Sequence, residues 1–211
     1  DVTSYAEVTL AQQAADALHP AFSNLFVQTQ ILAPQRAILC TRRPRSQGEA
    51  APYLLHLMVV RGGKEEQASY ETDRMRFLGR GNTVADPLAL RADAADYAVS
   101  LSGTQGSVLD PIVAIRQRIA LDPGESVLVD MVTGMADDRE GAMLLVEKYQ
   151  DRRLADRVFD LAWTHNQVLL RQLNASEAEA QLYGRLAGAI LYAGAALRAE
   201  QGMLGKNRRG Q

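Results

Sequence analysis

The chain has 211 residues, 47% of them hydrophobic and 23% charged, which is enough apolar material for a packed core. Twenty-three basic against 25 acidic side chains give a formal charge of −2, which argues against nucleic-acid binding driven by bulk charge. The single cysteine, Cys40, excludes an intramolecular disulfide and a cysteine-rich metal site, and no apolar run approaches the ~20 residues that span a bilayer.

Asp1 to Leu10 alternates, with Val2, Ala6 and Val8 on one side and Thr3, Tyr5, Glu7 and Thr9 on the other, and so predicts a half-buried strand. Ala37 to Thr41 and Tyr53 to Val60 are apolar runs that read as more deeply buried strands. Between them, Arg42 to Glu49 is polar and reads as a loop. Ala98 to Leu101 reads as a short strand. Further on, Val113, Ile115, Ile119 and Leu121 share one face, while Arg116 and Arg118 share the other. Val127, Val129 and Met131 continue this pattern after Asp122-Pro123-Gly124-Glu125. Proline fixes φ at the second turn position and glycine supplies positive φ at the third, so the segment predicts an antiparallel hairpin.

At Asp137 the period changes. Asp137-Asp138-Arg139-Glu140 resembles a capping box with Asp137 at the N-cap. Leu154, Val158, Leu161, Ala162, His165, Val168 and Leu169 then recur at helical steps and form one face. A second helix succeeds it, with Ser176 and Glu179 or Asn174 and Glu177 as alternative caps and Leu182, Leu186, Ala189 and Ile190 as its stripe. Gly194 and Gly202 weaken any helix beyond that stripe. Strands followed by helices predict an α+β fold rather than alternating βαβ units.

Chemistry is sparse. His19, His56 and His165 have no second ligand at metal spacing, and there is no G-x-S-x-G. Cys40 lies inside an apolar strand and reads as a buried structural thiol. Gly103 to Ser107 offers backbone N–H groups to an anion but lacks the lysine of a phosphate loop, so a plain turn is the competing reading. Trp163 and Phe159 are four apart beside the apolar stripe and read as core. The densest polar stretch, Tyr70 to Gly81, sets three arginines and two acids beside two aromatics and two glycines. Guanidinium forks and carboxylates hydrogen-bond sugar hydroxyls or phosphate, and glycines admit a ligand close to the backbone. On chemistry alone, an internal salt-bridge network that stabilises a loop is the favoured reading of this stretch.

Five segments, in fixed order, carry a resemblance: Thr3 to Val8, His19 to Phe26, Glu71 to Gly81, Gly103 to Pro111 and Arg152 to Arg157. Together they resemble glycoside hydrolase family 94, formerly glycosyltransferase family 36, and within it the phosphorylase-like region of cyclic β-1,2-glucan synthases. The resemblance implies an antiparallel β super-sandwich of galactose-mutarotase type over residues 1–136. Linker helices over 137–211 would then lead towards an (α/α)6 barrel that this chain does not contain. It implies that the general acid lies on that barrel, so no catalytic residue is assigned to this chain, and that the sandwich lends loops to the active-site mouth, which makes Arg74 first, then Arg80, with Glu71 and Asp73, the candidate substrate-binding residues. The implied partners are a β-glucan or oligosaccharide, the barrel, and a second copy in a homodimer, with no nucleic acid and no membrane contact. No cofactor is implied, inorganic phosphate being the co-substrate of the longer enzyme. The implied location is the cytoplasmic side, in a bacterial inner-membrane parent. The start at Asp1 and the polar run to Gln211 fit a piece of a larger protein. An opening strand without its neighbours would leave an edge open to association. The expected role is a non-catalytic carbohydrate-binding or scaffold portion of such an enzyme. An autonomous carbohydrate-binding module or a dimerisation scaffold is the alternative.

Overall fold

A computed structural model describes residues 1–44, 46, 48–49, 51–65, 67–91, 100–192 and 199–206. The chain divides into two compact units, Asp1–Ala155 and Asp156–Gln211.

The first unit is a sandwich of antiparallel sheets. Its elements are β1 (Val2–Thr3), β2 (Ala6–Glu7), α1 (Gln13–Leu18), α2 (Pro20–Asn24), β3 (Val27–Leu32), β4 (Ala37–Arg42), β5 (Tyr53–Arg61), β6 (Lys64–Glu65), β7 (Ser69–Asp73), α3 (Arg74–Leu78), β8 (Gly106–Ser107), β9 (Pro111–Gln117), β10 (Ile119–Ala120), β11 (Leu128–Ala136) and α4 (Arg139–Tyr149). One sheet runs β11-β5-β4-β3-β8. In the other, β9 is the spine: β1 and β2 pair with it in turn, and β7 pairs with it as well. The predicted opening strand is therefore two short strands, interrupted at Ser4 and Tyr5.

Alternation decides the layers. Ile38, Cys40, Met58 and Val60 meet Val113 and Ile115 of the spine in one buried cluster between the sheets, joined by Val2, Ala6 and Val8 of the opening segment. Ala37, Leu39, Leu55 and Leu57 point the other way and bury Ala142 and Val146 of α4. The far side of β9 is covered in turn, with Ile112 and Ala114 under Phe77, Leu78 and Leu101. A strand buried on both faces reads as a near-continuous apolar run, as Pro111 to Ile115 does.

Four expectations need correction. The turn at Asp122 to Glu125 forms, with Glu125 N–H donating to Asp122 C=O at 3.0 Å and Gly124 at φ +85°. The strands beside it do not pair with each other. β10 pairs with β6, and β11 pairs with β5 over nine residues from Leu128–Arg61 to Ala136–Tyr53. Turn residues fix a chain reversal, whereas the partner is chosen by burial. The cap of α4 is Asp138, which accepts from Gly141 N–H at 2.7 Å, one residue later than expected. Arg42 belongs to β4 and is buried under its ion pair with Glu49 at 3.9 Å and its stacking over Phe26. Ser100 and Leu101 are not in a strand; Ala98 and Val99, the rest of that predicted element, lie outside the described residues.

The helices after α4 are α5 (Arg152–Gln172), α6 (Glu177–Leu191) and α7 (Gln201–Leu204). Of the two capping alternatives, Ser176 and Glu179 form the box, with Ser176 N–H donating to Glu179 at 2.8 Å. Asn174 supplies a left-handed residue at φ +50° where α5 ends. Among the described residues from 156 onward none is buried. Phe159 and Trp163 are thus exposed in this chain, at 73% and 67%, and not core. No helix of the described residues is long and apolar enough to cross a membrane.

Candidate functional site

The polar stretch straddles the join of β7 and α3. Between Glu71 and Asp73 the pairing of β7 with β9 shifts register. A bulge frees backbone donors that must be satisfied in a buried place. Glu71 does this: it is fully buried, and its carboxylate accepts from Thr72 N–H at 2.9 Å and Asp73 N–H at 3.0 Å, with the Ser102 hydroxyl on its other oxygen. Asp73 caps α3, accepting from Met75 N–H at 2.9 Å and Arg76 N–H at 3.4 Å. Both candidate acids are therefore engaged by their own backbone.

Arg74 behaves differently. Its Nε donates to Glu7 at 2.9 Å, and its Nη1 lies 3.5 Å from Asp110. Its own N–H also donates to the Asp110 carbonyl at 3.0 Å. Asn24 donates to the other oxygen of Asp110 at 3.2 Å, and the Tyr5 hydroxyl donates to Glu7 at 3.0 Å. The Tyr5 ring lies 5.0 Å from that of Phe77, which fixes it on the buried face of α3. Burial, then the bond to Glu7, pushes the Tyr5 hydroxyl up to about 12, so it acts as a neutral donor. Glu7 holds the Arg74 guanidinium more firmly in its charged form. Side chains of Arg74, Glu7 and Asp110 are 37%, 57% and 46% exposed, so the patch faces solvent. It offers a guanidinium, two carboxylates, an amide and a phenol, which is a surface suited to hydroxyl-rich ligands.

Residues from four distant segments meet here: Tyr5 and Glu7, Asn24, Arg74, and Asp110. Sequence reading singles out Arg74 but not its partners. The available signals are the polar side of the alternating opening segment and the acid immediately before Pro111. Arg80 stands apart from Arg74's partners. It is exposed between Gly79 (φ +78°) and Gly81 (φ +79°) and makes no hydrogen bond or ion pair with the described residues. A side chain at Gly79 would meet Leu88 Cβ at 2.8 Å, so that glycine is required by close approach as well as by its backbone.

The remaining candidates are structural. Gly103 N–H donates to Tyr70 C=O at 2.9 Å and Gly106 N–H to Thr29 Oγ1 at 3.1 Å, so these donors are already used and the segment is a turn leading into β8. Burial pushes the Cys40 thiol up to about 12, far from thiolate reactivity. His56 is buried between Thr133 Oγ1 at 2.8 Å and Ser4 Oγ at 2.9 Å, and burial lowers its pKa to about 4. Its neutral ring bridges β5, β11 and the break between β1 and β2. No group of three His, Cys, Asp or Glu side chains among the described residues is placed to hold a metal ion.

Comparison with known proteins agrees with the sandwich fold. The chain is 37% identical over 200 residues to the cyclic beta-(1,2)-glucan synthase NdvB of Rhizobium meliloti (strain 1021). The aligned part is 95% of this chain but only 7% of that protein. Residues 1–152 match the glycosyl hydrolase 94 supersandwich domain, a span that contains both facing sheets, α4 and every member of the Arg74 patch, and the chain belongs to that family.

Proposed function

We propose that this chain is the sandwich-bearing part of a longer β-glucan-processing protein of the cyclic β-1,2-glucan synthase kind, and that it shapes a sugar site without making or breaking bonds itself. The chemistry, including any use of inorganic phosphate, belongs to a helical barrel elsewhere in that protein, which in this reading is a bacterial inner-membrane protein with this part on the cytoplasmic side. The observation that carries the reading is the convergence of four separate segments on the half-exposed Arg74. A guanidinium held by two carboxylates keeps one orientation and can present its remaining N–H groups to a saccharide. Glu71 and Asp73 support that position by stabilising the bulge and the first turn of α3. Arg80 is a second contact, set beyond Gly79. The test is Arg74→Ala in the full-length protein. Turnover of β-glucan should fall about tenfold or more while the unfolding midpoint stays in place. Normal kinetics would remove Arg74 from the site.

A second reading, a dimerisation scaffold, draws on the exposed apolar side chains of α5 and α6, among them Phe159, Leu161, Trp163 and Ile190. Sedimentation of the chain across a hundredfold concentration range tests it, a constant monomer mass excluding self-association through this face.

A further inference from the structure

The five-stranded sheet has one face that α4 covers only in part. Under the helix that face is apolar: Leu39, Leu55 and Leu57 pack on Ala142 and Val146. At the helix's N-terminal end the face turns polar. Pairing sets Ser107 opposite Gln28, Gln28 opposite Thr41, and Thr41 opposite Tyr53, so these four residues form one row across four strands. At a strand spacing of about 4.8 Å the row is roughly 14 Å long, longer than one sugar ring. Gln28, Thr41 and Tyr53 of this row, with Gln30, Leu39 and Arg139, are among the residues that line an open cleft of about 350 Å³.

The chemistry of this cleft is specific. Buried Leu39 forms its floor. The half-buried Tyr53 gives a ring at one end of the row. Gln28 makes no side-chain hydrogen bond among the described residues, and Gln30 uses only its carbonyl oxygen, accepting from Arg139 at 3.4 Å. Amide donors and acceptors therefore face the cleft with capacity unused, and no carboxylate lines it. Primary amides, hydroxyls and an aromatic ring beside an apolar floor match a neutral polyol, whose hydroxyls need paired donors and acceptors and whose ring faces are apolar.

We infer that this cleft is a second saccharide-binding groove, in which Gln28, Gln30 and Thr41 hydrogen-bond hydroxyls, Tyr53 carries a sugar face and Arg139 closes one end. It lies on different strands from the Arg74 patch. The groove's preference for saccharide stands on its own residues; that the saccharide is a β-glucan rests on the proposed function.

The experiment is calorimetric titration of the 211-residue chain with a linear β-1,2-linked gluco-oligosaccharide and, separately, with maltohexaose. Saturable binding of the first is expected, weakened about tenfold or more in Gln28→Ala/Gln30→Ala, whose unfolding midpoint should not move. Thr41→Val is the second variant, expected to weaken binding less. Arg74→Ala is titrated alongside to separate the groove from the Arg74 patch, and Lys64→Ala, on β6 and outside both, should bind like the unsubstituted chain. Groove-dependent binding of maltohexaose alone upholds the groove and sinks its β-glucan assignment. Unchanged affinity in both groove variants, or binding lost only in Arg74→Ala, overturns the groove while leaving the proposed function standing. Absence of binding to either sugar also overturns the groove.

Discussion

Leu57 and Leu161 are both leucines at periodic apolar positions, yet the first is fully buried and the second is 58% exposed. The difference lies in how each region satisfies its backbone. A strand completes its hydrogen bonds only against another strand, so β5 exists because β4 and β11 flank it, and the faces of the resulting sheet are then buried by its neighbours. A helix completes its bonds within itself, so α5 and α6 form with their caps in place and their apolar stripes uncovered. Periodicity therefore means burial in residues 1–155 and only amphipathicity in residues 156–211.

The largest expected effect separates the two regions directly. Leu57→Ala should destabilise the sandwich by about 3 kcal/mol, combining lost transfer energy with a cavity between the sheet and α4. Leu161→Ala should change stability by no more than about 0.5 kcal/mol. Urea midpoints of both variants decide the matter, and equal losses would mean that α5 is covered in solution.

The next effect isolates the sandwich by pH. His56 has a folded pKa of about 4, against 6.5 for the free side chain, because burial opposes its charge. Between these values the unfolded chain binds a proton that the folded chain refuses. Stability is therefore fully present above about pH 6.5, falls as the pH drops, and levels off below about pH 4. The loss is on the order of 3 kcal/mol. Chemical denaturation at pH 7 and pH 4.5 measures it, and a His56→Gln variant should lose most of this dependence. An unchanged slope in that variant would assign the acid sensitivity to other groups.

These contrasts also explain how much of the molecule is legible in its sequence. β4, β5, α5 and α6 are readable because their patterns are local: two apolar runs, one helical stripe, one capping box. The hairpin expected around Pro123 fails because its turn is local but the partners of β10 and β11 lie more than 50 residues away in sequence. β7 is hidden in a stretch whose acids and arginines suggest a binding loop. No periodicity announces that Glu71 is buried, because its burial comes from a bulge in the pairing with β9. Likewise Gln28, Thr41 and Tyr53 come together in the cleft only once their strands are in register. Arg74 can be singled out by residue type, whereas Glu7, Asn24 and Asp110 become its neighbours through tertiary structure alone.

Two helix caps give a smaller and sharper version of the same comparison. Asp138 caps a helix whose buried face closes the sandwich, so Asp138→Ala should destabilise the first unit by about 1 kcal/mol. Ser176 caps α6, which buries none of its residues. Ser176→Ala should lower helicity by circular dichroism at 222 nm and leave the sandwich's unfolding midpoint where it was. A shift of that midpoint would couple α6 to the sandwich's stability.

The smallest effect concerns the Arg74 patch, and its size discriminates between a binding surface and a structural brace. Arg74 and Glu7 approach to 2.9 Å, but both are substantially exposed, and water and salt screen such a pair. A double-mutant cycle with Arg74→Ala and Glu7→Ala should give a coupling of about 0.2–1 kcal/mol, shrinking as salt is raised. The sandwich is held by burial elsewhere and does not need this pair. A coupling above about 2 kcal/mol, insensitive to salt, would mean that the pair holds β2 against α3 and that its conformation serves the fold. A weak coupling leaves the guanidinium positioned yet available, which is the condition a saccharide contact at Arg74 requires.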